Sequence, residues 1–205
     1  MHLFTRSIGL LTAALFASFV FAGAASALTV TVTPSPSAIT GTGTTPWQLT
    51  IQPSGGGPTV FTCVNAGFTA TVRSATGAGP LAIATNYQQT FSSCRVAGIS
   101  YTDTCSGTAV LSVTGVTVSG VTPLTLSSLS CTATIGGCGS ARITGTIPET
   151  YNNTTRQLTV LTTGQALTVS GTTCSRIPNG AATFAATGGG NFVYAVSPAT
   201  TIVAT

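Results

Sequence analysis

The sequence predicts an all-β protein: an antiparallel β-sandwich, or the same sheet closed barrel-like, stapled by disulfides. Three observations carry this. Thr and Ser alternate with Val, Leu, Ile, Ala and Phe along most of the chain, and β-branched residues suit a pleated, half-buried surface. No stretch beyond the N-terminal segment holds a 3.6-residue apolar period, whereas period-two rows recur. Six cysteines form an even set in a chain that opens like an exported protein, which favours three bridges.

Residues 1–27 read as an export signal. Arg6 supplies the positive start, Ile8 to Ala22 is apolar, and Ala25-Ser26-Ala27 fits small-x-small cleavage, with Leu28 as the mature N-terminus. The apolar run is short for a bilayer core of ~30 Å, which disfavours a retained anchor. Residues 28–58 read as a leader strand and a loop-rich approach, with Thr33 to Pro46 either a loose leader or a long loop. Residues 59–205 read as the all-β domain, and 28–205 as one structural unit.

The alternation is visible residue by residue. Val30 and Val32 flank Thr31; Phe68, Ala70 and Val72 share a face opposite Thr69 and Thr71. Cys131, Ala133 and Ile135 alternate with Thr132 and Thr134, and Ala182, Phe184 and Ala186 form a further row. Such rows mean antiparallel strands with one apolar face. Turn signals separate them: Pro53 to Pro58, Gly77 to Pro80, Gly136-Gly137, Asn179-Gly180 and Gly188 to Gly190. A change of phase at Thr114-Gly115 marks a bulge or turn. One hairpin is explicit: with Asn152-Asn153 as loop residues, Tyr151 faces Thr154, Glu149 faces Arg156 and Ile147 faces Leu158.

Charge narrows the chemistry. Beyond residue 27 there is no Lys or His; the acids are Asp103 and Glu149 and the cations Arg73, Arg95, Arg142, Arg156 and Arg176, so five minus two gives +3. Nucleic acid binding lacks its phosphate-neutralising footprint. A Ser or Cys nucleophile lacks a His or Lys base. A glutamate–glutamine peptidase site is not indicated, because nothing places a glutamine beside Glu149. A glycosidase needs two carboxyls about 5–10 Å apart, which only Asp103 and Glu149 can supply. Glu149 is expected to pair with Arg156, and Asp103 to meet Arg95 across a hairpin turning near Ala97-Gly98, leaving both as surface ion pairs. No metal site or cofactor is expected: CxxC is absent, histidine is missing and two acids make a poor calcium cage. Asn152-Asn153-Thr154-Thr155 contains two glycosylation acceptors, read here as turn residues. Among the aromatics, Trp47 and Tyr194 suit the core, whereas Tyr151 and Tyr101 are candidates for surface binding.

Six cysteines allow 15 pairings, which spacing does not resolve. A loop the length of Cys63 to Cys94, once closed, contributes about 3–4 kcal/mol in the chain-entropy model.

The segments Cys131-Thr132-Ala133-Thr134-Ile135, Ile143-Thr144-Gly145-Thr146-Ile147, Leu158-Thr159-Val160 and Leu167-Thr168-Val169-Ser170, followed by Cys174 and Gly180 to Tyr194, resemble secreted Thr/Gly-rich β proteins of actinobacterial type. The resemblance spans about 59–198. It implies export, a β fold and the bridges Cys63–Cys94 and Cys131–Cys174, which leaves Cys105–Cys138; it brings no catalytic residues. Leu28-Thr29-Val30-Thr31-Val32-Thr33-Pro34 is similar to the first strand of small secreted immunoglobulin-like carriers such as chromophore-binding apoproteins.

The function expected is non-catalytic: an exported structural or interaction protein of the cell surface or medium, touching envelope polysaccharide or surface proteins. It is secreted or wall-associated, with no membrane insertion after signal cleavage. The alternative is a carrier of a small apolar ligand between the sheets, and the third reading a hydrolase using Asp103 and Glu149.

Overall fold

The computed structural model describes residues 27–205, so the expected export segment, apart from Ala27, lies outside the described residues. The strands are β1 (Leu28–Thr33), β2 (Ser37–Gly43), β3 (Trp47–Gln52), β4 (Thr59–Val72), β5 (Ala75–Gly77), β6 (Leu81–Val96), β7 (Ile99–Cys105) and β8 (Ala109–Val113). They continue as β9 (Val121–Ile135), β10 (Gly139–Asn152), β11 (Gln157–Val160), β12 (Ala166–Ser170), β13 (Gly180–Ala186), β14 (Phe192–Ser197) and β15 (Thr201–Ala204). The fold is all-β and antiparallel, as the alternation predicts. No helix among the described residues is long and apolar enough to cross a membrane.

The large sheet closes on itself. β2 and β3 both run antiparallel to β4 and form one broken stave, 37–52. In the same way β7 and β8 make 99–113 beside β6, β11 and β12 make 157–170 beside β10, and β13 and β14 make 180–197. With β4, β6, β9 and β10 these give eight staves. Each pairs with the next in sequence, and the last returns to the first through β14–β2 and β13–β3. This up-and-down closure leaves the barrel no free edge.

An eight-stranded barrel is just wide enough for its own side chains to fill. Here a continuous column of rings does so. Phe91 lies 4.5 Å from Trp47, which stacks on Phe184 at 4.8 Å. Phe184 meets Phe192 edge-on at 5.4 Å, and Phe192 meets Tyr194 at 4.8 Å. Tyr194 then contacts Phe68 at 5.1 Å, and Phe68 stacks on Tyr87 at 4.6 Å. Gly41 falls at an inward position of β2, where a Cβ would overlap the Phe68 ring, so the missing side chain makes room for the column.

Outward positions keep Thr69, Thr71, Gln88, Thr90, Thr132 and Thr134 exposed. One end of the barrel is capped by the small sheet β15–β1–β5. The Asn153 side chain fastens that cap, its Nδ2 donating to the Ile202 carbonyl (2.9 Å) and its Oδ1 accepting from the Ile202 amide (2.7 Å). The other rim carries the turns 53–58, 97–98 and 136–138 and the loop 171–179, which seats Ile177 inward.

Four expectations are corrected. Residues 33–46 are not a loose leader: Ser37–Gly43 is a barrel strand, because Ile39 and its neighbours alternate onto the interior. The β10–β11 hairpin pairs Tyr151 with Leu158 and Glu149 with Val160, so its loop has four residues rather than two. The Asn152 Oδ1 accepts from the Thr154 and Thr155 amides (2.9 and 3.0 Å), an Asx turn that sets this length. Asn152 thus ends β10, and Asn153 opens the four-residue turn. The bridges are Cys63–Cys94, Cys105–Cys131 and Cys138–Cys174; the expected Cys105–Cys138 and Cys131–Cys174 do not form. Cys105 and Cys131 stand directly opposite on β7 and β9 (Cα–Cα 3.9 Å) and point inward, whereas Cys138 and Cys174 lie together at the rim. Finally, Tyr151 and Tyr101 are not on the surface: they are 1% and 6% exposed.

Candidate functional site

Both side-chain carboxyls of the described residues are inside the barrel. On β10 the period-two row Ile147, Glu149, Tyr151 turns inward, and Glu149 goes with it, 1% exposed. Its two oxygens have no hydrogen-bond partner. Burial pushes its pKa from 4.5 up to about 8, so the carboxyl is held in its neutral form at pH 7. The field of Glu149 reaches the hydroxyls of Tyr87 and Tyr194, both also pushed up, first by burial and then by that carboxyl.

Asp103 occupies the inward row of β7 between Tyr101 and Cys105. Its oxygens are sealed and unpartnered, and burial raises its pKa from 3.8 to about 6 against a small opposing pull from the Thr104 backbone. It borders an internal cavity of about 10 Å³, together with Trp47, whose Nε1 is also unpartnered, and Gln89. That volume is near the minimum for one water. From the same place the Gln89 amide donates to the Tyr194 hydroxyl (3.4 Å). A sparse polar line thus threads the aromatic column. Gln89 was not foreseen as part of it, although its alternation with Tyr87 and Phe91 carries the signal.

The predicted ion pairs are absent among the described residues. Arg95 faces Ser100 rather than Asp103 across the Ala97-Gly98 turn. Arg156 sits in the hairpin loop, exposed, while Glu149 is inside. Both arginines fail for one reason: each acid belongs to an inward row and each cation does not. The two carboxyls are also not a pair. Their neighbours on β9, Ala133 for Asp103 and Leu124 for Glu149, are nine positions apart, roughly 25–30 Å of strand. A two-carboxyl glycosidase needs about 5–10 Å and access to solvent. Asp103 does lie within 4.8 Å of the Cys105 and Cys131 sulfurs, but these are bridged to each other and are not thiolate ligands.

Outside, a groove of about 610 Å³ runs down the wall where staves 37–52 and 180–197 are broken. Pro46, Thr62, Val64, Ser93, Arg95 and Thr187 line it. The Cys63–Cys94 bridge and Tyr101 line it as well, the Tyr101 hydroxyl donating to the Cys63 sulfur (3.2 Å). Its lining side chains offer hydroxyls and one guanidinium. No family model, curated protein or solved structure matches the chain.

Proposed function

We propose that this is a non-catalytic, exported interaction protein of the cell surface or surrounding medium, which works through its outer wall. One observation carries the proposal: the side-chain acids are walled inside, while the wall offers threonine hydroxyls, a shallow groove and arginines. Groups that move protons in catalysis must reach a substrate, and a sealed carboxyl does not. The three bridges support an oxidising compartment. The outward rows are hydroxyl-bearing where a lipid-facing barrel carries an apolar belt, which supports a barrel bathed in water. A carrier of an apolar ligand has less support, since such sites usually enclose about 300–1,000 Å³ and the cavity inside measures about 10 Å³.

Two measurements test this. Sequencing the protein recovered from culture medium or envelope is expected to give Leu28 first; a product retaining residues 1–27 inside the cell removes the export part. Co-sedimentation with the producing organism's insoluble envelope polysaccharide is expected to deplete the protein from solution. Full recovery in the supernatant removes envelope polysaccharide as the partner, and turnover abolished by Asp103→Asn or Glu149→Gln overturns the proposal.

A further inference from the structure

With both acids turned inward, the described outer surface carries arginines and no side-chain carboxylate to answer them. Arg73, Arg95, Arg142, Arg156 and Arg176 are all exposed. The formal +3 counts two acids that are sealed from solvent, so the side chains outside carry five positive charges against none. These are not spread evenly. Arg95 opposes Ser100 beside the 97–98 turn. The Ser100 carbonyl accepts from the Gly136 amide (3.4 Å), which sets the 136–138 turn alongside. Arg142 follows that turn on β10, opposite Thr132 on one side and Ser170 on the other. Ser170 leads into the loop 171–179, which carries Arg176. That loop is tied to the turn by Cys138–Cys174 and by the Thr173 amide donating to the Ser140 carbonyl (2.9 Å). Arg95, Arg142 and Arg176 therefore lie in the half of the barrel nearer the uncapped rim, the Arg142 Nη2 donating to the Ser130 Oγ (3.2 Å), while Arg73 and Arg156 lie at the capped end.

We propose that the uncapped rim, with Arg95, Arg142 and Arg176, docks an acidic polysaccharide whose carboxylates are spaced among neutral hydroxyls. This rests on the surface-interaction reading above and names its partner. Charge complementarity sets the sign, and the guanidinium fork suits carboxylate oxygens. The groups between the arginines set the rest: Ser100, Thr102, Thr132 and Thr134 present hydroxyls suited to sugar hydroxyls. Arg95 also borders the wall groove, which gives a polymer chain a course away from the rim. Cations this sparse are a poor match for the dense phosphates of a nucleic acid. The rim also lacks the apolar face and lysine cluster of a membrane-surface binder.

The test compares binding of the purified protein to polygalacturonate and to its neutral methyl ester, which keeps the sugar backbone. Wild type is expected to bind the acid form at least about tenfold more tightly. That affinity should fall about tenfold from about 10 mM to about 100 mM salt, as the screening length shortens from about 30 Å to about 10 Å. The triple variant Arg95→Gln, Arg142→Gln, Arg176→Gln should lose this preference, and Arg73→Gln with Arg156→Gln should keep it. Equal binding of acid and ester overturns the proposal and leaves polysaccharide contact standing. Binding to neither overturns it and removes polysaccharide from the wider reading as well. Tighter binding to duplex DNA or to anionic phosphatidylglycerol vesicles, or a triple variant that binds like wild type, also overturns it.

Discussion

Glu149 ties the stability of this barrel to pH. In the unfolded chain its carboxyl titrates near the ordinary 4.5; in the barrel it holds its proton up to about 8. Each tenfold difference in proton affinity is worth ~1.4 kcal/mol, so the two states differ by about 5 kcal/mol. The sign follows from which state keeps the proton. Below about pH 4.5 both states are protonated and the barrel is at full strength with respect to this group. Between there and about pH 8 the unfolded chain releases a proton that the folded one retains, so stability falls by ~1.4 kcal/mol per pH unit. Tyr87 and Tyr194, which face Glu149, stay neutral throughout, since both are pushed above their ordinary 10.0. Asp103 adds a second loss, confined to roughly pH 4 to 6. The informative variant is Glu149→Gln, which keeps shape and polarity and removes the titration. Urea unfolding at pH 5, 6.5 and 8, followed through the single tryptophan, reads the outcome. Wild type should lose midpoint steadily toward pH 8, whereas the variant should be flat above pH 6 and exceed wild type at pH 8 by several kcal/mol. A wild-type midpoint unchanged between pH 6.5 and 8, or an equal slope in the variant, refutes the reasoning.

Other perturbations probe the wall and the staples. Replacing Cys105 and Cys131 with alanine opens a loop of sequence separation 26, expected to cost about 3–4 kcal/mol in a denaturant melt; non-reducing peptide mapping should recover Cys105–Cys131 and Cys138–Cys174 peptides. Trp47 is 1% exposed between Phe91 and Phe184, so its emission should be blue-shifted and move red on unfolding, and Trp47→Ala should destabilise by about 3–5 kcal/mol. Gly145 has φ +142 at the bulge between β9 and β10, and a Cβ there would overlap the Ala166 carbonyl. Gly145→Ala should therefore cost more than about 2 kcal/mol, while Gly57→Ala, in open space, should change the melt by less than about 0.5 kcal/mol.

What depends on local alternation is legible in the amino-acid order alone. Rows such as Phe68, Ala70, Val72 and Cys131, Ala133, Ile135 announce strands and name their buried face, because successive side chains must point opposite ways. By the same rule Glu149 shares a row with Ile147 and Tyr151, but its charge and the nearby hairpin tip point to the surface, and only the closed barrel turns that row inward. What the rule could not choose was the partner across the hairpin. Pairing Glu149 with Arg156 or with Val160 differs by an even slip, which keeps every side chain on its own face. The choice fell to the Asn152 turn and to β9 and β14 on either side. Closure, the bridge pattern and the inward fate of both acids were likewise settled only by tertiary structure. Each depends on which distant strands meet, and the energy of burying a carboxyl or facing two sulfurs exists only once they do.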